Sequence, residues 1–255
     1  MLADERRSLI MEDLYNNGIV KVNELSEKYD VTVETVRRDI SALQEQNLVK
    51  KVYGGAVPIS STVKDSLYTS RETLHAKEKA AIGRFISEKI HEGETILLGS
   101  GTTTLEIAKN LKHFNNLTVI TNSFPVIMEL ISTKLNIFCL GGHVGNIDMN
   151  MIGAFTINAL KKFHVDRAFI TALGITTGAG VTCYSSEEAF FARQVRDQAG
   201  KLILVADSSK FGNNSLVIQG QLMDYDTIIT DSNLDKSYFD EFARNDIKLI
   251  LAPMK

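Results

Sequence analysis

Seven short apolar runs recur along the last two-thirds of the chain: Thr95 to Leu98, Leu117 to Thr121, Asn136 to Leu140, Arg167 to Ala172, Lys201 to Ala206, Thr227 to Thr230 and Lys248 to Leu251. Most are continuous rather than alternating. A strand with one wet face alternates polar and apolar residues, whereas a continuous run implies burial on both faces. Segments with helical spacing separate the runs, among them "TLEIAKNL", "FPVIMELIST" and "SEEAFFARQVRDQA". This order predicts an α/β fold, a parallel sheet with helices on either side. At 255 residues with 44% apolar content, the chain can fill such a core and still carry a smaller domain.

Several function classes are excluded early. No run of eighteen or more uncharged apolar residues occurs, and "MLADERRSLIMEDL" is charged where a secretory signal needs an apolar block, so a cytoplasmic protein with no membrane partner is expected. Cys139 and Cys183 each stand alone, and the five histidines are scattered. Cys139 and His143 are four apart but lack a second ligand pair, so neither a disulfide framework, a metal site nor a bound cofactor is predicted. A net charge of −3 argues against a protein that coats nucleic acid generally. Any basic footprint must be local.

Three parts can be told apart. Residues 1–57 read as three short helical segments followed by a pair of short strands. Residues 58–74, with proline, serine and threonine and few apolar anchors, read as a linker. Residues 75–255 hold the alternating pattern.

In the first part, Val22, Leu25 and Tyr29 make a short amphipathic helix, "DVT" a tight turn, and Thr32 a cap for the next helix. At 100° per residue, Val36, Ile40 and Leu43 share one face of that second helix, with Val33 beside them. Glu34, Arg37, Arg38 and Ser41 then fall on the opposite side. This is the pattern of a helix-turn-helix, whose second helix buries its apolar stripe and offers its polar face to a DNA major groove. Arginine suits that face because its planar fork bonds guanine bidentately or clamps a phosphate. A solvated helix surface would also accommodate two arginines.

The residues that follow favour the DNA reading. Lys50, Lys51 and Tyr53 lead into Gly54-Gly55, where the backbone turns tightly or approaches another surface closely. Residues 1–57 are net −2, yet Val36 to Tyr53 holds four cations against Asp39 and Glu45. The T-x-R-R-D run at Thr35, Arg37, Arg38 and Asp39, followed by Gly54-Gly55-Ala56, closely resembles the winged helix-turn-helix of the DeoR family of sugar-metabolism regulators. Where many members have arginine and histidine before the glycines, this chain has Lys51 and Tyr53. The resemblance implies an operator-DNA contact set of Thr32, Glu34, Thr35, Arg37, Arg38, Ser41, Lys50, Lys51 and Tyr53.

In the third part, "LLGSGTTTLEIAKNL" joins an apolar run to an amphipathic helix through Gly99, Ser100 and Gly101. Such a turn points free backbone N–H groups forward, and the helix dipole favours an anion there. Thr102, Thr103 and Thr104 add hydroxyls. The turn is neither a P-loop nor a dinucleotide fingerprint, and a plain tight turn with threonine caps remains an alternative. Other runs end in polar or glycine residues: Thr121, Asn122 and Ser123; Gly141 and Gly142; Asp207 to Lys210; Thr230 and Asp231. In an open parallel sheet these ends line one crevice.

Lys210 offers a countercharge or is simply exposed. Glu187 and Glu188 accept bonds from sugar hydroxyls or face water. These motifs also resemble the DeoR effector domain, with a fold like that of ribose-5-phosphate isomerase. By that likeness Ser100 to Thr104, Thr121 to Ser123, Gly141, Gly142, Glu187, Asp207 and Lys210 surround a phosphorylated sugar or related phosphometabolite. The family usually has aspartate at the position of Gly99 and an arginine between the glycine pair and Gly153, both missing here. The expected protein is a homo-oligomeric repressor without catalytic residues, controlled by that ligand. The alternative is an isomerase-like enzyme with an appended DNA-binding domain, Asp207 or Glu187 serving as base.

Overall fold

The computed structural model describes residues 3–17, 19–45, 49–58, 68–145 and 148–254, and the chain divides into two compact units, Met1–Leu74 and His75–Lys255. The first unit contains α1 (Ala3–Asn17), β1 (Val20–Lys21), α2 (Val22–Tyr29), α3 (Val33–Glu45), β2 (Val49–Val52), β3 (Gly55–Pro58) and α4 (Tyr68–Thr73). The apolar stripe of α3, Val36, Ile40 and Leu43, is buried, as are Ile10, Met11 and Leu14 of α1 and Leu25 of α2. Asp30, with φ +50°, ends α2, and the amide of Val31 bonds back to the Ser26 carbonyl at 3.1 Å. Thr32 Oγ1 then accepts the Thr35 amide at 3.2 Å, which starts α3.

Two features of this unit go beyond the sequence pattern. The expected pair of strands is a three-stranded antiparallel sheet in the order β1-β3-β2, because the two residues of β1 close against β3. Gly54 makes the β2–β3 turn at φ +77°, and a Cβ on Gly55 would fall 2.0 Å from the Val20 carbonyl oxygen. Within α3, Asp39 is buried at 2% exposure, its carboxylate accepting from Arg6 Nε at 2.6 Å and from Arg7 Nε at 3.3 Å. This pairing fixes α3 on α1. Of the expected linker, 58–74, residues 59–67 lie outside the described residues, and Tyr68–Thr73 is the helix α4.

The second unit contains α5 (Ala76–Ser87), β4 (Thr95–Leu98), α6 (Thr102–Lys109), β5 (Thr118–Thr121), α7 (Phe124–Leu130), β6 (Asn136–Cys139), β7 (His143–Gly145), β8 (Asn150–Ile152) and α8 (Ala154–Leu160). It continues with β9 (Arg167–Ile170), β10 (Gly174–Thr176), β11 (Gly180–Cys183), α9 (Ser186–Gln198), β12 (Leu202–Val205), β13 (Val217–Gly220), β14 (Thr227–Asp231), α10 (Ser237–Arg244) and β15 (Leu249–Ala252). All seven apolar runs form one parallel sheet, ordered β15-β14-β12-β9-β4-β5-β6.

Alternate residues along these strands feed two cores. Leu97, Ile120, Ala168 and Leu204 pack with Leu160 of α8, Val195 of α9 and Phe242 of α10. Ile96, Leu98, Val119, Phe169 and Val205 pack with Ile82 and Ile86 of α5, Ile107 of α6 and Val126 of α7. Burial on both faces fails at the edge, where Phe138 and Cys139 of β6 are exposed. The hairpin β7–β8 and the antiparallel sheet β10-β11-β13 are additions to the expected pattern.

The topology also locates a crevice. From β4 the chain adds β5 and β6 on one side, then crosses to place β9 on the other side of β4. Strand order reverses there, and in open α/β sheets ligands bind at that point beyond the C-terminal strand ends.

Candidate functional site

On the outer face of α3, the Arg37 and Arg38 side chains are 66% and 81% exposed. Glu34 lies 4.0 Å from each, a pair of loose surface contacts that a phosphate can replace at little cost. Asp39, counted in the sequence as an offset to these cations, is turned inward and neutralised. The positive face is therefore stronger than the net charge of the segment suggests.

Ser41 behaves differently from its neighbours. Its hydroxyl donates to the Arg37 carbonyl at 2.6 Å and accepts from Lys51 Nζ at 2.7 Å. It is thus a bridge between α3 and β2, and Lys51 is held by it beside the helix. Thr32 and Thr35 join hydroxyls at 2.9 Å at the start of α3. Lys50 is exposed, and Tyr53 stands fully exposed at the β2–β3 turn.

In the second unit, the Gly99-Ser100-Gly101 turn connects β4 to α6 at the switch point. The Gly99 amide bonds to the Phe169 carbonyl at 2.9 Å, and the Thr171 hydroxyl donates to the Ser100 carbonyl at 2.9 Å. Gly101, the N-cap of α6, has φ +140°. A Cβ there would meet the Thr171 side chain at 2.6 Å. Thr104 donates to the Gly99 and Gly101 carbonyls at 2.7 and 2.9 Å. Its hydrogen is spent on closing the turn, so its role is to shape the loop.

A cation that sequence reading missed completes this end. Lys79 of α5 is buried at 2% exposure, and its Nζ donates to Thr102 Oγ1 at 3.2 Å. Its position was legible: Lys79, Ile82 and Ile86 share one face at i, i+3 and i+7, so the lysine lies on the apolar side of the helix. Its ammonium thus stands beside the N-terminus of α6, where the helix dipole is positive. Thr103 is buried next to Thr102.

The end of β5 and the strand β8 are both bonded to this end of β4. Thr121 Oγ1 donates to the Leu98 carbonyl at 2.6 Å, tying β5 to β4. Asn150 Nδ2 donates to Ser100 Oγ at 3.2 Å, and Asn122 Nδ2 to the Met151 carbonyl at 3.1 Å. Asn122 Oδ1 and Ser123 Oγ are buried without a hydrogen-bond partner among the described residues. Asp148, 4% exposed, accepts the Tyr184 hydroxyl at 2.6 Å. Burial, with the carboxylates of Glu188 and Asp148 adding to it, pushes the Cys183 thiol well above its usual range.

Other expected ligands make hydrogen bonds within their own loops. Asp207 caps the short 3₁₀ turn Ser208–Lys210, accepting the Ser209 amide at 3.1 Å together with the Ser209 hydroxyl. Its carboxylate serves its own loop, and Lys210 sits half-buried at the end of that turn. Glu187 is exposed and shares a 3.0 Å bond with Ser185, the cap of α9, while Glu188 is partly buried. Gly141 and Gly142 line a mostly apolar groove of about 480 Å³ with Leu140, Phe155, Ala159 and Lys162. Among the described residues no His, Cys, Asp and Glu grouping is able to hold a metal ion, and no helix is long and apolar enough to cross a membrane.

Residues 6–62 match the family model of the DeoR-like helix-turn-helix domain, and residues 74–232 that of the DeoR C-terminal sensor domain. The transcriptional repressor AccR of Agrobacterium fabrum is 34% identical over 232 residues, 90% of this chain and 90% of that protein. The glycerol-3-phosphate regulon repressor of Escherichia coli is 30% identical over 233 residues, 91% and 92% of the two chains. Among solved structures, ribose 5-phosphate isomerase A from Methanocaldococcus jannaschii superposes with a TM-score of 0.38 and 18% identity, covering 52% of this chain and 53% of that one.

Proposed function

The chain belongs to the DeoR family, as a DNA-binding transcriptional regulator rather than an enzyme, and we propose that it represses genes of sugar utilisation in response to a phosphorylated sugar. On this reading α3 enters the major groove of operator DNA with Arg37 and Arg38 forward. Lys50, Lys51 and Tyr53 of the β2–β3 wing lie along the backbone. The protein acts in the cytoplasm as a homo-oligomer, two copies offering their α3 helices to half-sites about 34 Å apart or a multiple of that. The name of the glycerol-3-phosphate regulon repressor supports a phosphometabolite as the controlling ligand.

The observation that carries the ligand assignment is the buried Lys79 ammonium against Thr102 at the N-terminus of α6. A phosphate there receives backbone N–H groups, threonine hydroxyls and a positive charge in a site poorly screened by water. The ligand needs only to bind two conformations of the protein unequally to change its hold on DNA.

Thermal unfolding with added sugar phosphates tests the assignment. The wild-type midpoint is expected to rise with ligand concentration, and Lys79→Met, which keeps the stem and removes the charge, to lose that rise while still binding DNA. An equal rise in both proteins would place the phosphate elsewhere.

A further inference from the structure

The two edges of the parallel sheet are protected unequally. At one edge, β15 is buried or half-buried along its length. At the other, β6 exposes Asn136, Phe138 and Cys139, and its sequence, Asn-Ile-Phe-Cys, has none of the charges or prolines that guard an open edge against further pairing. The Asn136 and Leu140 amides bond to the Leu117 and Thr121 carbonyls at 3.1 and 3.0 Å, toward β5. Backbone groups alternate in direction along a strand, so Ile137 and Cys139 turn their N–H and C=O groups away from the sheet.

Apolar residues surround this edge. The Phe138 ring is held against Phe163, with centroids 5.1 Å apart. Phe138 itself, Met128 of α7, Ile131 just after it, Val144 of β7, Met149 and Phe155 of α8 are between 40% and 80% exposed. They lie close to β6: α7 packs on it, the Phe124 amide at the start of α7 bonds to the Met149 carbonyl at 2.9 Å, and Phe155 shares a groove with Leu140, the residue after β6. A large side chain offers about 150–250 Å² when free, so these six present on the order of 700 Å². That is more than the largest apolar patch of a typical monomer, about 300–600 Å², and close to the roughly 800 Å² that each partner gives to a stable interface.

We propose that β6 pairs antiparallel with β6 of a second copy of this chain and joins the two sheets into one. The inference rests on the homo-oligomer of the proposed function and supplies its contact. With the two Phe138 residues opposite one another, Ile137 and Cys139 of each copy exchange both backbone bonds with Cys139 and Ile137 of the other, so every outward group is used. This register is self-complementary, and the contact closes about a two-fold axis. Antiparallel pairing also separates like charges, since Lys134, exposed just before β6, lies about 27 Å from Lys134 of the second copy.

Sedimentation of the full-length protein over a concentration series tests the contact. Wild type is expected to be an oligomer, and Phe138→Glu, which sets two carboxylates about 5 Å apart across the pair, to halve its mass. A wild type that stays monomeric overturns the oligomer reading and this contact with it, and leaves the patch to another partner. An oligomer whose mass Phe138→Glu leaves unchanged overturns the β6 contact alone. A cross-link makes the test independent of how Phe138→Glu folds, because opposed Cα atoms in such a pair are about 4.5 Å apart, within reach of a disulfide. In a Cys139→Ser background under mild oxidation, Phe138→Cys is expected to form a covalent dimer and Met223→Cys, exposed before β14, to remain a single chain. Cross-linking of both variants, or of neither, overturns the contact.

Discussion

Asp39 and Arg38 are neighbours in sequence and opposites in environment. Asp39 is 2% exposed between Arg6 and Arg7, whereas Arg38 is 81% exposed and 4.0 Å from Glu34. Removing the buried carboxylate with Asp39→Ala strips the counter-charge from Arg6, and chemical denaturation is expected to show a loss of about 3 to 5 kcal/mol. Arg38→Ala should leave stability within about 0.5 kcal/mol. Its loss appears instead in a gel-shift titration, as an operator affinity lower by about tenfold. Equal effects of the two substitutions on stability would mean that Arg38 belongs to the fold and not to the DNA face.

At the scale of elements, the β4–α6 junction proposed to hold the phosphate has a geometry that leaves little freedom. Gly101 combines φ +140° with a neighbour, Thr171, at 2.6 Å from where a Cβ would be. Gly101→Ala is therefore expected to cost more than about 1 kcal/mol and to abolish stabilisation by sugar phosphates, both read from thermal melts. Full retention of the ligand response would show that the turn tolerates displacement and does not form the cradle.

The sequence reveals this junction because an apolar run, a glycine-spaced turn and a helical period follow one another without interruption. The seven strands and the α3 stripe are legible for the same reason, since burial imposes a period on the residues. The hairpin β7–β8 has three-residue strands, too short to express a period, and it brings Asn150 to Ser100 only through a tertiary contact. Capping is equally hidden. Nothing local distinguishes Asp207, which closes its own 3₁₀ turn, from an acid that faces a ligand. Lys79 was readable in principle as a charge on an apolar helix face.

For the whole molecule, a net charge of −3 means that DNA binding depends on a confined basic face and not on a general positive field. Duplexes from the region upstream of the protein's own gene, set against random duplexes of equal length, supply the direct measurement. They are titrated by fluorescence anisotropy at about 0.15 M salt, with and without a panel of sugar monophosphates. One upstream duplex is expected to bind at least about a thousandfold more tightly than random DNA. A sugar monophosphate is expected to change that affinity in the wild type and not in Lys79→Met. Indifference between upstream and random duplexes, or an equal response of the two proteins to the sugar phosphate, would contradict this reading.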